Sequence, residues 1–313
     1  MKMNGNPVRD AILGVCVGDA LGVPVEFSMR EALRSNPVTG MRSYGVWNQP
    51  KGTWSDDSSL TLCLAESLCH GFDPEDIGQR FLRWYREGYW GAHYEVFDIG
   101  NATRTALERL GSGAVAAREA GLRDAGSNGN GSLMRIAPMA FVVRNLPRSE
   151  RARLVAESSS ITHGHARSVL ACDLYIEYAL LLLEGRQVRD AYEMWRVWAR
   201  AELADHPEYT HFQPLIAGDI GSCEEAEIGS SGYVVDTLQA SMWCLLTSRS
   251  FAEAVLKAVN LGGDTDTTAA VTGGLAGLAY GAAAIPLEWV MALARLNDIE
   301  KLCERLFAAL ERA

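Results

Sequence analysis

Apolar positions along this chain recur at helical spacing. Leu60, Cys63, Leu64 and Leu68 fall on one face of a helix that follows Ser58. Asp73-Pro74-Glu75-Asp76 reads as a helix start: a capping aspartate, a proline in the first turn, then acids at the positive end of the dipole. Phe81, Leu82, Trp84 and Tyr85 supply the apolar side of that helix. The same periodicity predicts helices over 149–157, 166–184, 188–203, 234–246, 251–259 and 299–310, in a total of about a dozen. Alternating strand patterns are scarce and strand–helix alternation is absent. The expected fold is all-α: a compact single-domain multi-helix bundle over residues 1–313. The tryptophans fall mostly on apolar helical faces and read as core.

Three stretches depart from this pattern. Residues 125–132, Ala-Gly-Ser-Asn-Gly-Asn-Gly-Ser, and residues 205–232 have few helix formers and read as ordered loops. The uncharged run 267–287 has membrane length, but Ala, Gly and Thr dominate it where a bilayer span would carry Leu, Ile and Phe. A close-packed internal helix is predicted there instead.

Composition narrows the function classes. Lys plus Arg is 29 and Asp plus Glu is 39, a net charge of −10, which gives no electrostatic footprint for non-specific nucleic-acid binding. The seven cysteines are scattered without a Cys-x-x-Cys, which removes thiolate zinc and redox motifs and favours a reducing cytoplasm. The N-terminal apolar run 11–18 is short and flanked by Arg9, Asp10 and Asp19, so a cleaved signal peptide is not expected.

The chemistry concentrates in two oxygen-rich segments, Gly52-Thr53-Trp54-Ser55-Asp56-Asp57-Ser58 and Gly262-Gly263-Asp264-Thr265-Asp266-Thr267-Thr268, each directly before an apolar helix. Either alone reads as a well-capped helix start. Together they offer four carboxylates with the hydroxyls of Ser55 and Thr267. Adjacent Asp56 and Asp57 repel unless a cation intervenes. An all-oxygen donor set of this kind suits Mg²⁺, Mn²⁺ or Ca²⁺. The spacing is not that of an EF-hand loop.

Six motifs occur in one order: Gly-Asp-Ala-Leu-Gly-Val-Pro-Val-Glu (18–26), Gly-Thr-Trp-Ser-Asp-Asp-Ser-Ser-Leu (52–60), Phe-Asp-Ile-Gly-Asn (97–101), Asn-Gly-Ser-Leu-Met-Arg (130–135), Ser-Gly-Tyr-Val-Val-Asp-Thr-Leu (231–238) and Gly-Gly-Asp-Thr-Asp-Thr (262–267). In this the chain resembles the ADP-ribosylglycohydrolase family from about residue 7 to about residue 280. The resemblance implies an all-helical hydrolase with two Mg²⁺ or Mn²⁺ ions. Its substrate would be an ADP-ribosylated protein, most simply ADP-ribosyl-arginine, and its product ADP-ribose. It implies Ser55, Asp56, Asp57, Asp264, Asp266 and Thr267 as metal ligands. The family often carries Thr where Ser55 stands, and either offers one hydroxyl oxygen. Glu26 would serve the metal pair or a proton transfer, and Asp98 would activate water; the sequence leaves the base open between them. Asp98 also reads as a cap for a helix resuming at Ala102.

On the substrate side the resemblance implies Asn101, Asn130, Gly131, Ser132, Arg135, His163 and Tyr233. The glycines of 128–132, the Ser132 hydroxyl, the Arg135 charge and a helix beginning near Leu133 would suit a pyrophosphate. Glu224, Glu225 and Glu227 would attract a basic target or form a solvated face. Two alternatives accompany this reading. One is another ADP-ribose conjugate: ADP-ribosyl-serine, O-acetyl-ADP-ribose or ADP-ribosylated nucleic acid, the last disfavoured by net charge. The other is a catalytically silent ADP-ribose-binding or structural protein. Neither a membrane nor a nucleic-acid partner is expected.

Overall fold

The structure, a computed structural model, describes residues 5–312. Among the described residues every regular element is helical, and backbone bridges outside helices are the isolated pairs Tyr44–Gln49, Leu122–His163 and Gly129–Tyr233. No described helix is long and apolar enough to cross a membrane.

Five helices position the site: α1 (Pro7–Gly22), α2 (Asp56–Leu68), α3 (Asn101–Gly111), α4 (Val234–Leu246) and α5 (Thr265–Tyr280). Around them pack Pro74–Glu87, Arg148–Ser160, Ala166–Leu183, Val188–Glu202, Phe251–Asn260 and Leu296–Leu310, close to the predicted spans. Asp73 caps its helix through the Glu75 N–H as its motif predicts. The loop 205–232 is less bare than expected, holding short helical turns at Tyr209–Phe212, Gln213–Ile216, Ile220–Ser222 and Glu225–Glu227.

The organising contact is the antiparallel pair α1 and α5. Gly14, Gly18 and Gly22 recur every four residues on one face of α1. A Cβ on Gly14 would lie 2.1 Å from the Gly273 carbonyl oxygen, one on Gly18 2.0 Å from that of Ala269, and one on Gly22 2.3 Å from Asp266 Cα. Backbone therefore lies on backbone, which explains the small residues of the long uncharged run. The sense of the pair sets the C-terminal end of α1 beside the acidic start of α5, so residues about 240 positions apart share one place.

Gly18→Ala separates two opposing effects. Alanine raises helix propensity by about 1 kcal/mol. A methyl 2.0 Å from a backbone carbonyl forces two central helices apart, an overpacking cost of about 3 kcal/mol. The clash wins, so the expected outcome of thermal unfolding is a clearly lower Tm. An unchanged or raised Tm would show that the two helices do not touch at Gly18.

Candidate active site

The end of α1 organises both acidic segments. Asp19 is fully buried, and its carboxylate accepts the Ser55 N–H (2.9 Å), the Ser58 N–H (2.9 Å) and the Ser58 hydroxyl. A carboxylate on α1 thereby holds the first turn of α2, the favoured arrangement at a positive helix end. Sequence reading missed this role. The signal was present, because Asp19 is a lone charge in the stretch of α1 that follows Asp10. Past Gly22 the chain makes one tight turn, Val23–Val25, and delivers Glu26, also buried. The Phe27 N–H donates to the Gly263 carbonyl at 2.7 Å and the Gly263 N–H to that of Ser28 at 2.9 Å, lacing this turn to the start of α5. Gly262 and Gly263 hold φ of 74° and 70°, and a Cβ on Gly263 would meet the Ser230 carbonyl at 2.2 Å. Glycine is needed at both.

The two segments meet. Ser55 caps α2 by accepting the Asp57 N–H at 3.3 Å. The Ser55 hydroxyl (3.1 Å) and the Thr267 hydroxyl (3.3 Å), the latter 210 residues away, both donate to Asp57 Oδ2. Carboxylate oxygens of Glu26, Asp98 and Asp266 all lie within 4.8 Å of one another. Asp264 precedes α5 without capping it; its Oδ2 accepts from the Asn130 side-chain amide at 2.9 Å. Asp98 does not cap α3 either. Gly100 holds that position, and Asp98, at φ 51°, turns its side chain into the acidic group. The cap reading is thus right for Ser55 and wrong for Asp98.

Electrostatically the cluster is incomplete. Burial pushes the carboxyls of Asp56, Asp57 and Asp266 well above the ordinary aspartate range, and neighbouring carboxylates add to it. Asp98 is raised to about 6, by burial and then by Asp264. Glu26 is raised to about 9, by burial and then by Asp98. Among the described residues none of these groups is paired with Lys or Arg, although such pairs are common elsewhere in the chain. Asp57 Oδ1, Asp264 Oδ1 and Asp266 Oδ2 are buried with no hydrogen-bond donor. Buried carboxylate oxygens with neither donor nor counter-charge are costly unless a cation takes them. The donor set is all oxygen, so a hard divalent ion fits.

The substrate-side residues divide. Asn130 spans from Asp264 to the Thr237 hydroxyl (2.9 Å), and its N–H donates to the Gly232 carbonyl (3.1 Å). The Val234 N–H returns to the Asn128 carbonyl (3.0 Å), so the glycine loop and the start of α4 are tied together. A Cβ on Gly131 would lie 2.7 Å from His163 Cε1, so the loop closes on that ring. His163 is buried and driven down to about 3, by burial and then by Arg135, which keeps it neutral. Asn101 is exposed on the first turn of α3. Tyr233 is half-buried, its hydroxyl accepting from Arg167 (3.1 Å), a cation the sequence did not single out.

Three expectations are corrected. Arg135 is fully buried, donating to the Ser158 carbonyl and the Thr162 hydroxyl over the Phe81 ring. Burial lowers it to about 10, and it braces the loop from below without presenting charge on it. The Ser132 hydroxyl is likewise buried, accepting from Ser159 beside Cys172. Residues 131–135 form turns, and the next α-helix begins at Met139, so no helix end points at the loop.

Trp47 also departs from the core reading of the tryptophans. It sits half-buried in the turn Gly45–Trp47, and its indole N–H donates to Glu26 Oε2. A cavity of about 740 Å³ lined by Arg144, Arg151, Glu177, Trp195 and Trp198 shares no residue with this cluster. Size alone is a poor guide to chemistry here, because the convergent polar groups lie elsewhere.

The profile of the ADP-ribosylglycohydrolase family matches residues 5–313. The chain is 36% identical over 306 residues to ADP-ribosylarginine hydrolase Tri1 of Pseudomonas putida (strain GB-1), covering 96% of this chain and 77% of that one. It is 31% identical over 300 residues to the ADP-ribosyl-[dinitrogen reductase] glycohydrolase of Rhodospirillum rubrum, covering 93% and 92%. A solved structure titled ADP-ribosylglycohydrolase-related protein complex superposes with a TM-score of 0.82 at 34% identity, covering 97% of this chain and 98% of that one.

Proposed function

Because the chain belongs to the ADP-ribosylglycohydrolase family, and is therefore a hydrolase, we propose that it removes ADP-ribose from arginine side chains of modified proteins, using two Mg²⁺ or Mn²⁺ ions. The observation that carries this reading is the convergence of Asp57, Asp266, Asp98 and Glu26 with donor-free buried oxygens. A relative named for ADP-ribosylarginine at 36% identity supports the acceptor. A silent binding protein would have no use for so many unpaired buried charges.

Ser55, Asp56, Asp57, Asp264, Asp266 and Thr267 would hold the ions. When bound, such ions neutralise the cluster and orient the distal ribose diol. The protein's own groups do the rest. Asp98 is only partly buried and stands beside Glu26 and Asp266, where it can meet water and take its proton. The glycosidic C1″–N bond breaks with its electron pair leaving on nitrogen, and C1″ becomes oxocarbenium-like. Water forms the new C1″–O bond and gives a proton to Asp98. The leaving guanidine takes up that proton, so charge balances. Asn130, Gly131, His163 and Tyr233 would frame the ADP portion.

Purified protein incubated with ADP-ribosyl-arginine and Mg²⁺ or Mn²⁺ is expected to release free ADP-ribose, followed by chromatography and mass spectrometry. EDTA should stop release and added Mn²⁺ restore it. Turnover indifferent to EDTA would reject the metal assignment, and no turnover would reject the acceptor.

A further inference from the structure

Three aromatic rings at the carboxylate cluster have no part in the steps above. Phe27 follows Glu26 in the chain and Phe97 precedes Asp98. The Trp47 ring lies between them, its centroid 6.4 Å from that of Phe27 and 5.6 Å from that of Phe97. The indole N–H on Glu26 sets this trio one hydrogen bond from the acids. Its placement is enforced from outside the trio. Gly45, at φ 69°, brings the 44–49 turn against Pro24, where a Cβ would meet the Pro24 carbonyl oxygen at 1.9 Å. Phe27 is 63% exposed, while Trp47 and Phe97 are half-buried, so the rings present open faces beside the carboxyl groups.

Elsewhere in the fold several exposed or half-buried aromatic rings take a cation of the protein itself, as Tyr94, Tyr89, Trp198 and Tyr233 do. Among the described residues no Lys or Arg lies over Phe27, Trp47 or Phe97. Open π faces next to carboxylates and lacking a cation are the environment a planar cation prefers. We propose that Phe27, Trp47 and Phe97 form the acceptor subsite, stacking the guanidinium that leaves, and that this wall sets a preference for arginine over hydroxyl-linked acceptors. The inference rests on the glycohydrolase reading above and deepens it. The carboxylates act on the ribose, which every conjugate shares. The rings add a preference for a flat cation over a neutral hydroxyl.

The test compares kcat/KM on ADP-ribosyl-arginine and ADP-ribosyl-serine peptides. In Phe27→Leu, Phe97→Leu and Trp47→Leu the arginine-to-serine ratio is expected to fall about tenfold, the scale of one cation–π contact, chiefly through KM on arginine. Trp47→Phe keeps a ring and loses the donor to Glu26, so it should keep the ratio and lower kcat on both. Ethylguanidinium added to wild type with ADP-ribose present should bind more tightly by calorimetry than ethylurea, its neutral isostere, a readout independent of any variant's folding. Unchanged ratios in the leucine variants, or no preference for ethylguanidinium over ethylurea, overturns the wall. Wild type inactive on both conjugates instead overturns the arginine acceptor proposed above, and the calorimetry still decides the wall.

Discussion

Asp266→Asn is expected to lose at least about 10³-fold in turnover while making the cation-free protein harder to unfold. Both effects follow from one buried oxygen. Asp266 is fully buried on the first turn of α5, with one carboxylate oxygen bonded to the Thr267 N–H and the other without a donor. Its carboxyl is raised by burial and by Glu26, Asp57 and Asp98. A raised carboxyl means the folded state binds protons more tightly than the unfolded chain, whose carboxyls titrate near about 4. Stability is then lost as pH rises above that range and through the raised values, which extend to about 6 for Asp98 and about 9 for Glu26. The amide removes one such charge. With EDTA present, the variant should melt a few degrees above wild type, for a gain of about 1–2 kcal/mol. That difference should widen from pH 5 to pH 9. Divalent cation should reverse the order by stabilising wild type more strongly than the variant. Equal melting of the two proteins across this pH range in EDTA would mean that Asp266 carries no uncompensated charge, and the cation reading would fail with it.

Helical spacing was strong enough to locate the long helices, and the small residues of 267–287 predicted a close-packed helix, which runs over 265–280, stops at Gly281 and packs on Gly14, Gly18 and Gly22. The acidic segments were legible because oxygen-rich residues before an apolar helix carry their own signal, and because six motifs in order pointed to one family. Depth was not legible. Arg135 and Ser132 sit in the loop that suits an anion, but their side chains point down into the core, and a sequence does not encode which side of a turn faces solvent. Asp19 was legible only as a flanking charge within the first motif. Its function is to hold Ser55 and Ser58, 36 and 39 residues away, a contact that no local pattern marks. Trp47 was hidden because the tryptophans mostly fall on apolar helical faces, and its polar N–H is what ties it to Glu26.

Asp98→Asn should lower kcat by about 10³-fold with divalent binding retained. The geometry makes this outcome informative, because Asp98 lies close enough to Glu26 and Asp266 to serve either as a ligand or as a base. A ligand and a base respond differently to an amide. Asparagine keeps one oxygen for coordination, so removing a base spares cation affinity, whereas removing an anionic ligand weakens it. Asp98 also stands apart from Asp56, Asp57 and Asp266, because it is only partly buried and its carboxyl is raised only to about 6. Water can reach it, as a base requires. Since the base must be ionised, wild-type kcat/KM should fall as pH drops through its titration. Bound cations lower that titration, placing the limb at or below about pH 6. The limb should be absent in the variant, and Mn²⁺ affinity by electron paramagnetic resonance should change less than threefold. Loss of Mn²⁺ binding in step with kcat would reassign Asp98 as a ligand. The base would then fall to Glu26, whose carboxyl lies against the indole of Trp47.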